Sequence, residues 1–141
     1  MNKCKDCERE TTCKIRKGSH KYCFKPKKEN LVMTGNEYQK LAERTIGANT
    51  KNNMLYHGVF GLTSEAGEVA GLLQKVYQGH DLDDEHLIKE LGDCMWMIAE
   101  ICTSKGFNLD DVMQTNIDKL KARFPNGFEV ERSIHRKEGD I

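Results

Sequence analysis

At 141 residues and 38% hydrophobic content the chain suits one domain with its own core, and its mean hydropathy of -0.69 excludes an integral membrane protein. The 22 basic and 22 acidic side chains cancel overall, yet residues 1–28 carry ten Lys/Arg against three Asp/Glu, while residues 29–141 carry twelve against nineteen. No apolar stretch of secretory length opens the chain, so a cytoplasmic setting with reduced thiols is expected.

The basic first part, residues 1–30, holds Cys4, Cys7, Cys13 and Cys23 at spacing C-x2-C-x5-C-x9-C and offers few apolar side chains besides Ile15, Tyr22 and Phe24. A segment of that size does not build a core unaided, and four thiolates in a reducing compartment suit a tetrahedral structural zinc whose binding energy drives folding. His20 is an alternative ligand, and two disulfides or a disordered cysteine-rich tail are the competing readings. The lysines around the knuckle, with Tyr22 and Phe24 available for stacking, would suit nucleic acid, although lysine-rich solvated surfaces are commoner. Pro26 and the polar run from Lys27 to Asn30 mark the boundary to a helical domain over 31–136, with a short tail over 137–141.

From Asn36 the chain reads as helix, with Tyr38, Leu41, Ala42 and Ile46 forming the apolar positions of a short segment that ends near Gly47. A loop over 47–52 precedes a long helix from about Asn53 to Gln78, interrupted in propensity by Gly58, Gly61, Gly67 and Gly71. Gly58 and Gly61 suggest a kink, and Gly67 and Gly71 suggest a face that another helix approaches closely, including one from a second subunit. Gly79 fits the end of this helix, Asp83 or Asp84 the cap of a third that runs to about Ser104, and Gly106 its stop. Asn108 then caps a fourth helix with Asp111 at the third position and an apolar seam of Leu109, Met113, Ile117, Leu120 and Phe124. Pro125, Asn126 and Gly127 stop it, and the residues after Phe128 show no convincing period.

Two acidic pairs stand out, Glu65-x-x-Glu68 on the second helix and Glu90-x-x-Asp93 on the third. Residues three apart lie about 60° apart around a helix axis, so each pair projects both carboxylates from one face. Glu65 falls inside the stripe of Leu62, Val69, Leu72, Leu73 and Val76, and Glu90 lies beside the seam of Cys94, Met97 and Ile101. Carboxylates on a packing face are costly unless paired or metal-bound, and no Lys or Arg shares these faces. A hard divalent cation, magnesium or alternatively manganese, answers that chemistry. On the fourth helix Asn116, Lys119 and Arg123 line one border, the groups wanted opposite phosphate oxygens. Standing alone, such a border is more often an ordinary solvated edge.

With EYQKLA at 37–42, GLTSEAGEVA at 61–70, IKELGD at 88–93 and NIDKLKARFP at 116–125, the stretch over about 34–136 resembles the MazG-like all-α nucleotide pyrophosphohydrolases, especially compact bacterial and phage forms. The resemblance implies an all-α, four-helix-bundle-like fold assembled as a homodimer or homotetramer. It implies magnesium-dependent hydrolysis of a nucleoside triphosphate between the α and β phosphates, giving the monophosphate and pyrophosphate. At matching positions Glu65, Glu68, Glu90 and Asp93 would ligate the metal, and Asn116, Lys119 and Arg123 match the phosphate-side segment. Gln39, toward the base or sugar, and Trp96, as a stacking surface, are further substrate candidates. The cysteine-rich extension is not part of that family's common core.

Three other readings compete. A zinc-stabilised nucleic-acid-binding or regulatory protein would leave the acidic seam unexplained. A ferritin-like di-metal protein expects Glu-x-x-His pairs, which neither Glu65 nor Glu90 begins, and Asp83-x-x-His86 lies at a helix start instead. A phosphoribosyl-ATP pyrophosphohydrolase shares the architecture and metal chemistry and differs in substrate.

Overall fold

The computed structural model describes residues 32–135, which, Val32 apart, belong to the second of the two units into which the chain divides, Met33–Ile141. The cysteine set Cys4, Cys7, Cys13 and Cys23 lies outside the described residues, as does the tail over 137–141. Helix α1 spans Gly35–Glu43, a 3-10 turn spans Lys51–Asn53, and α2 (Met54–Tyr77), α3 (Asp84–Lys105), α4 (Leu109–Arg123) and α5 (Val130–Ile134) follow. The described residues are all-α, their one β-type pairing being an isolated bridge between Pro125 and Gly127.

Local chemistry explains the boundaries. Thr34 opens α1 with a reciprocal cap: its hydroxyl accepts from the Glu37 N–H at 3.1 Å while Glu37 accepts from the Thr34 N–H at 2.8 Å. Such a cap contributes about 1 kcal/mol. The helix ends at Glu43, earlier than the expected stop at Gly47, because the Ala42 carbonyl is taken by the Thr45 hydroxyl at 2.7 Å and the Thr45 N–H at 3.0 Å. A side chain that binds the carbonyl in this way competes with helix continuation. At the far end of α3, Gly106 adopts φ +66°, a left-handed conformation that suits glycine, and the Phe107 N–H returns to the Cys102 carbonyl at 2.9 Å. The short α5 forms where the sequence shows no period; an ion pair between Glu129 and Arg132 at 2.8 Å ties its entry.

The glycines of α2 fall into two pairs with different surroundings. The helix runs as one unbroken element, and Gly58 and Gly61 lie where α3 comes closest. A Cβ on Gly58 would stand 2.8 Å from Ile101 Cγ1 and 3.2 Å from the Met97 carbonyl oxygen, and one on Gly61 would collide with the Met97 side chain. A Cβ at Gly67 or Gly71 would meet nothing within 4 Å.

Helix α3 is the hub, with α2 along one side and α1 across another, while α4 packs against α1. Ala99, Cys102 and Leu109 form the buried centre, lined by Tyr38, Ala42 and Ile98, and Leu72 and Met97 are buried between α2 and α3. The start of α4 is fixed by α1 side chains. Gln39 Oε1 accepts from the Leu109 N–H at 2.8 Å and Asn36 Oδ1 from the Asp110 N–H at 3.1 Å. In return Asp110 accepts from the Gly35 N–H at 2.7 Å, so α1 and α4 cap one another's first turns through one carboxylate and two carboxamide oxygens. Asn108 donates instead to the Asp111 carboxylate at 2.9 Å, replacing the backbone cap expected of it. Beyond Leu109 the α4 seam is open within one chain, with Met113, Ile117 and Leu120 all exposed.

Candidate functional site

The antiparallel run of α2 and α3 brings the acidic faces together. One carboxylate oxygen each from Glu65, Glu68 and Glu90 lies within 4.8 Å of the others, with Glu65 half-buried, Glu68 exposed and Glu90 at 6% exposure. Asp93 is the fourth member by charge: after burial and the Glu68 carboxylate, it is the next group that raises the Glu65 carboxyl above its ordinary range, ahead of Glu90. Mutual repulsion of this kind is what a divalent cation relieves, and the donor set of carboxylate oxygens is the one that hard cations take. Among the described residues these three carboxylates are the one group with metal-ligand spacing.

Two neighbours escaped the sequence reading. His86 Nε2 sits 2.7 Å from Glu90 Oε1, one turn along α3, so a face without Lys or Arg carries an imidazole. Its signal in the sequence is the four-residue spacing from Glu90, which puts both side chains on one face of a helix. Tyr38, read as an apolar position of α1, lies beside the Glu90-x-x-Asp93 segment, its hydroxyl donating to the Gly92 carbonyl at 3.4 Å. Burial, with Asp93 adding, pushes its phenol above the usual range.

The remaining candidates are distributed differently. Gln39 joins three segments: besides Leu109 it donates to the Phe107 carbonyl at 2.9 Å and to the Thr103 hydroxyl at 3.2 Å, so the whole carboxamide is engaged at the α1, α3 and α4 junction. Trp96, three residues from Asp93, is half-buried, and its indole N–H is buried without a hydrogen-bond partner. Asn116 and Lys119 are exposed on α4 and Arg123 is half-buried there, on a helix docked to α1. A second buried carboxylate, Glu100, belongs to no predicted site: His57 Nδ1 lies 3.0 Å from both of its oxygens.

The MazG nucleotide pyrophosphohydrolase domain matches residues 58–128, half of the chain, taking in both acidic pairs and all of α4. The chain belongs to this family. The MazG match makes it a nucleotide pyrophosphohydrolase, a hydrolase of a kind that uses divalent metal. Curated relatives agree in extent. The chain is 33% identical to the Gene 37 protein of Mycobacterium phage L5 over 78 residues, covering 52% of this chain and 68% of the phage protein. It is 36% identical to the uncharacterized protein YvdC of Bacillus subtilis (strain 168) over 73 residues, covering 45% of this chain and 69% of YvdC. No solved structure matches the chain significantly. Among the described residues no helix is long and apolar enough to cross a membrane.

Proposed function

We propose that this MazG domain hydrolyses a nucleoside triphosphate, ribo- or deoxyribo-, to the monophosphate and pyrophosphate with magnesium, and with manganese as a substitute. The observation that carries the reading is the convergence of Glu65, Glu68 and Glu90 from two helices, with Asp93 beside them. These four carboxylates would hold the cation. When bound, it supplies neutralisation of phosphate charge and acidification of an attacking water. The chain's own part is to fix the ligands on two rigid helices, to bury Glu90, and to present donors to the substrate. Trp96, half-buried three residues along α3 from Asp93, is assigned as a flat surface on which a nucleobase stacks.

Asn116, Lys119 and Arg123 are assigned to the phosphates, with α4 delivered by a second copy of the chain. Support comes from packing: within one chain α4 docks on α1, while its apolar positions Met113, Ile117 and Leu120 and those of α2, Phe60 and Leu73, are exposed. Exposed apolar surface of that extent marks an interface, and a homodimer or homotetramer would cover it. The open faces at Gly67 and Gly71 suit such an approach. Cys4, Cys7, Cys13 and Cys23 are proposed as a separate structural zinc site, tested by metal analysis of reduced protein, where near-stoichiometric zinc is expected and its absence removes the assignment.

The activity is tested by incubating the chain with each NTP and dNTP plus Mg²⁺ and resolving products by ion-exchange chromatography. Monophosphate and pyrophosphate are expected; diphosphate and phosphate, or no turnover of any nucleotide, would overturn the reading. Glu68→Gln should lose metal-dependent turnover while keeping its helical circular dichroism.

A further inference from the structure

Glu90 is the carboxylate of the cluster with least access to water, its side chain 8% exposed, and Nε2 of the His86 imidazole lies 2.7 Å from its Oε1. His86 is itself held in place. Asp83, the cap of α3, accepts from the His86 backbone N–H at 3.1 Å, which fixes the first turn from which the ring reaches forward to Glu90. The chain Asp83, His86, Glu90 therefore runs from a helix cap to a buried carboxylate without leaving one helix.

We infer that His86 is a positioning residue for the metal site: its Nε2–H holds Oε1 of Glu90, which leaves the other oxygen of that carboxylate for a divalent cation shared with Glu65 and Glu68. The inference rests on the metal-site reading above and goes beyond it by assigning a residue outside the acidic set. A glutamate has a loose terminal torsion, and here two further carboxylates within 4.8 Å repel it toward water. A donor fixed to one oxygen selects one orientation before the cation arrives, so ordering is not charged to binding. A neutral ring with its proton on Nε2 suffices, so the role needs no positive charge. Outer hydrogen-bond partners of metal ligands typically contribute about 10- to 100-fold in metal affinity.

The test uses the full chain without nucleotide, titrated with Mn²⁺ while free Mn²⁺ is followed by electron paramagnetic resonance. His86→Ala should bind about tenfold more weakly than wild type. His86→Gln, whose amide nitrogen reaches the same oxygen, should stay within about threefold. In turnover, the half-saturating metal concentration should rise in the Ala variant, and the rate at saturating metal should fall far less than the affinity. Unchanged or tighter binding by His86→Ala would overturn the inference, showing a competitor of the cation or a bystander. Equal loss in the Gln and Ala variants would also overturn it, since the ring itself would then be a ligand. Should His86→Ala fail to fold by circular dichroism, His86→Met, donor-free and of similar length, replaces it in the same comparison. Glu68→Gln separates the two levels: if it binds Mn²⁺ like wild type, the metal-site reading fails, whereas its loss beside an unaffected His86→Ala refutes the role of His86 alone.

Discussion

The pairing of His57 with Glu100 is asymmetric, and the asymmetry predicts which partner is more damaging to remove. Both Glu100 oxygens lie 3.0 Å from His57 Nδ1, yet the Glu100 side chain is 1% exposed and that of His57 is 48% exposed. Deleting the ring leaves a buried carboxylate with no other partner among the described residues, whereas deleting the carboxylate leaves a ring that water already reaches. Breaking a buried pair from one side costs about 3–5 kcal/mol, and the half-exposed position of His57, which lets water into the vacated space, places His57→Ala near about 3 kcal/mol. Glu100→Met replaces the carboxylate with an apolar chain of similar length and should cost roughly 1 kcal/mol. With a urea slope of roughly 2 kcal/mol/M, His57→Ala should lower the unfolding midpoint by about 1.5 M and Glu100→Met by about 0.5 M. The double variant should resemble Glu100→Met, because its buried charge is gone. The assay is urea unfolding by circular dichroism at one protein concentration and neutral pH, without metal. A His57→Ala variant no less stable than Glu100→Met would refute the reasoning.

Further expectations follow from the site and its supports. The Glu65 carboxyl, raised above its ordinary 4.5 by burial and by Glu68, Asp93 and Glu90, binds protons more readily folded than unfolded. Metal-free protein should therefore lose stability as pH rises through the window between those two values; Glu65→Gln should flatten that slope in thermal melts, and a wild-type slope in the variant would exclude this origin. Gly58→Ala, facing Ile101 and Met97 at 2.8 and 3.2 Å, should destabilise by roughly 1–3 kcal/mol despite better helix propensity. Gly67→Ala, with open space around it in one chain, should instead stabilise a monomer by about 1 kcal/mol; if it shifts the oligomer toward smaller species in sedimentation, its face meets another subunit. Gln39→Ala removes three hydrogen bonds at a helix junction and should lower stability by roughly 2–3 kcal/mol, measured by denaturant titration.

What could be read in the sequence was whatever depends on neighbours along the chain. Caps at Asp83 and Gly106 set the ends of α3 to within a residue or two, and three-residue spacing put each acidic pair on one face. The convergence of Glu65 and Glu68 with Glu90 follows because both pairs border apolar stripes that pack on each other. Contacts between distant residues were not legible. Gln39 is a candidate contact to the base or sugar in the sequence, because the partners that engage its carboxamide, Thr103, Phe107 and Leu109, lie more than sixty positions away. The positions of four glycines on α2 do not say which of them meets α3, and it is Gly58 and Gly61, expected at a kink, that face Ile101 and Met97. His86 was visible by spacing but needed the burial of Glu90 to give it a task.

The mutual capping of α1 and α4 has a consequence for dissecting this protein. The family match opens at residue 58, so α1, over Gly35–Glu43, lies upstream of it. A fragment trimmed to that match would retain Glu65, Glu68, Glu90 and Asp93 yet forfeit Asn36 and Gln39, the side chains that anchor the first turn of α4. The family match thus spans all four carboxylates, while the smallest piece that keeps the α1 anchors of α4 begins about two dozen residues earlier, at the Thr34 cap. Truncations designed from the family match alone would keep the proposed metal ligands and lose the contacts that fix the first turn of α4.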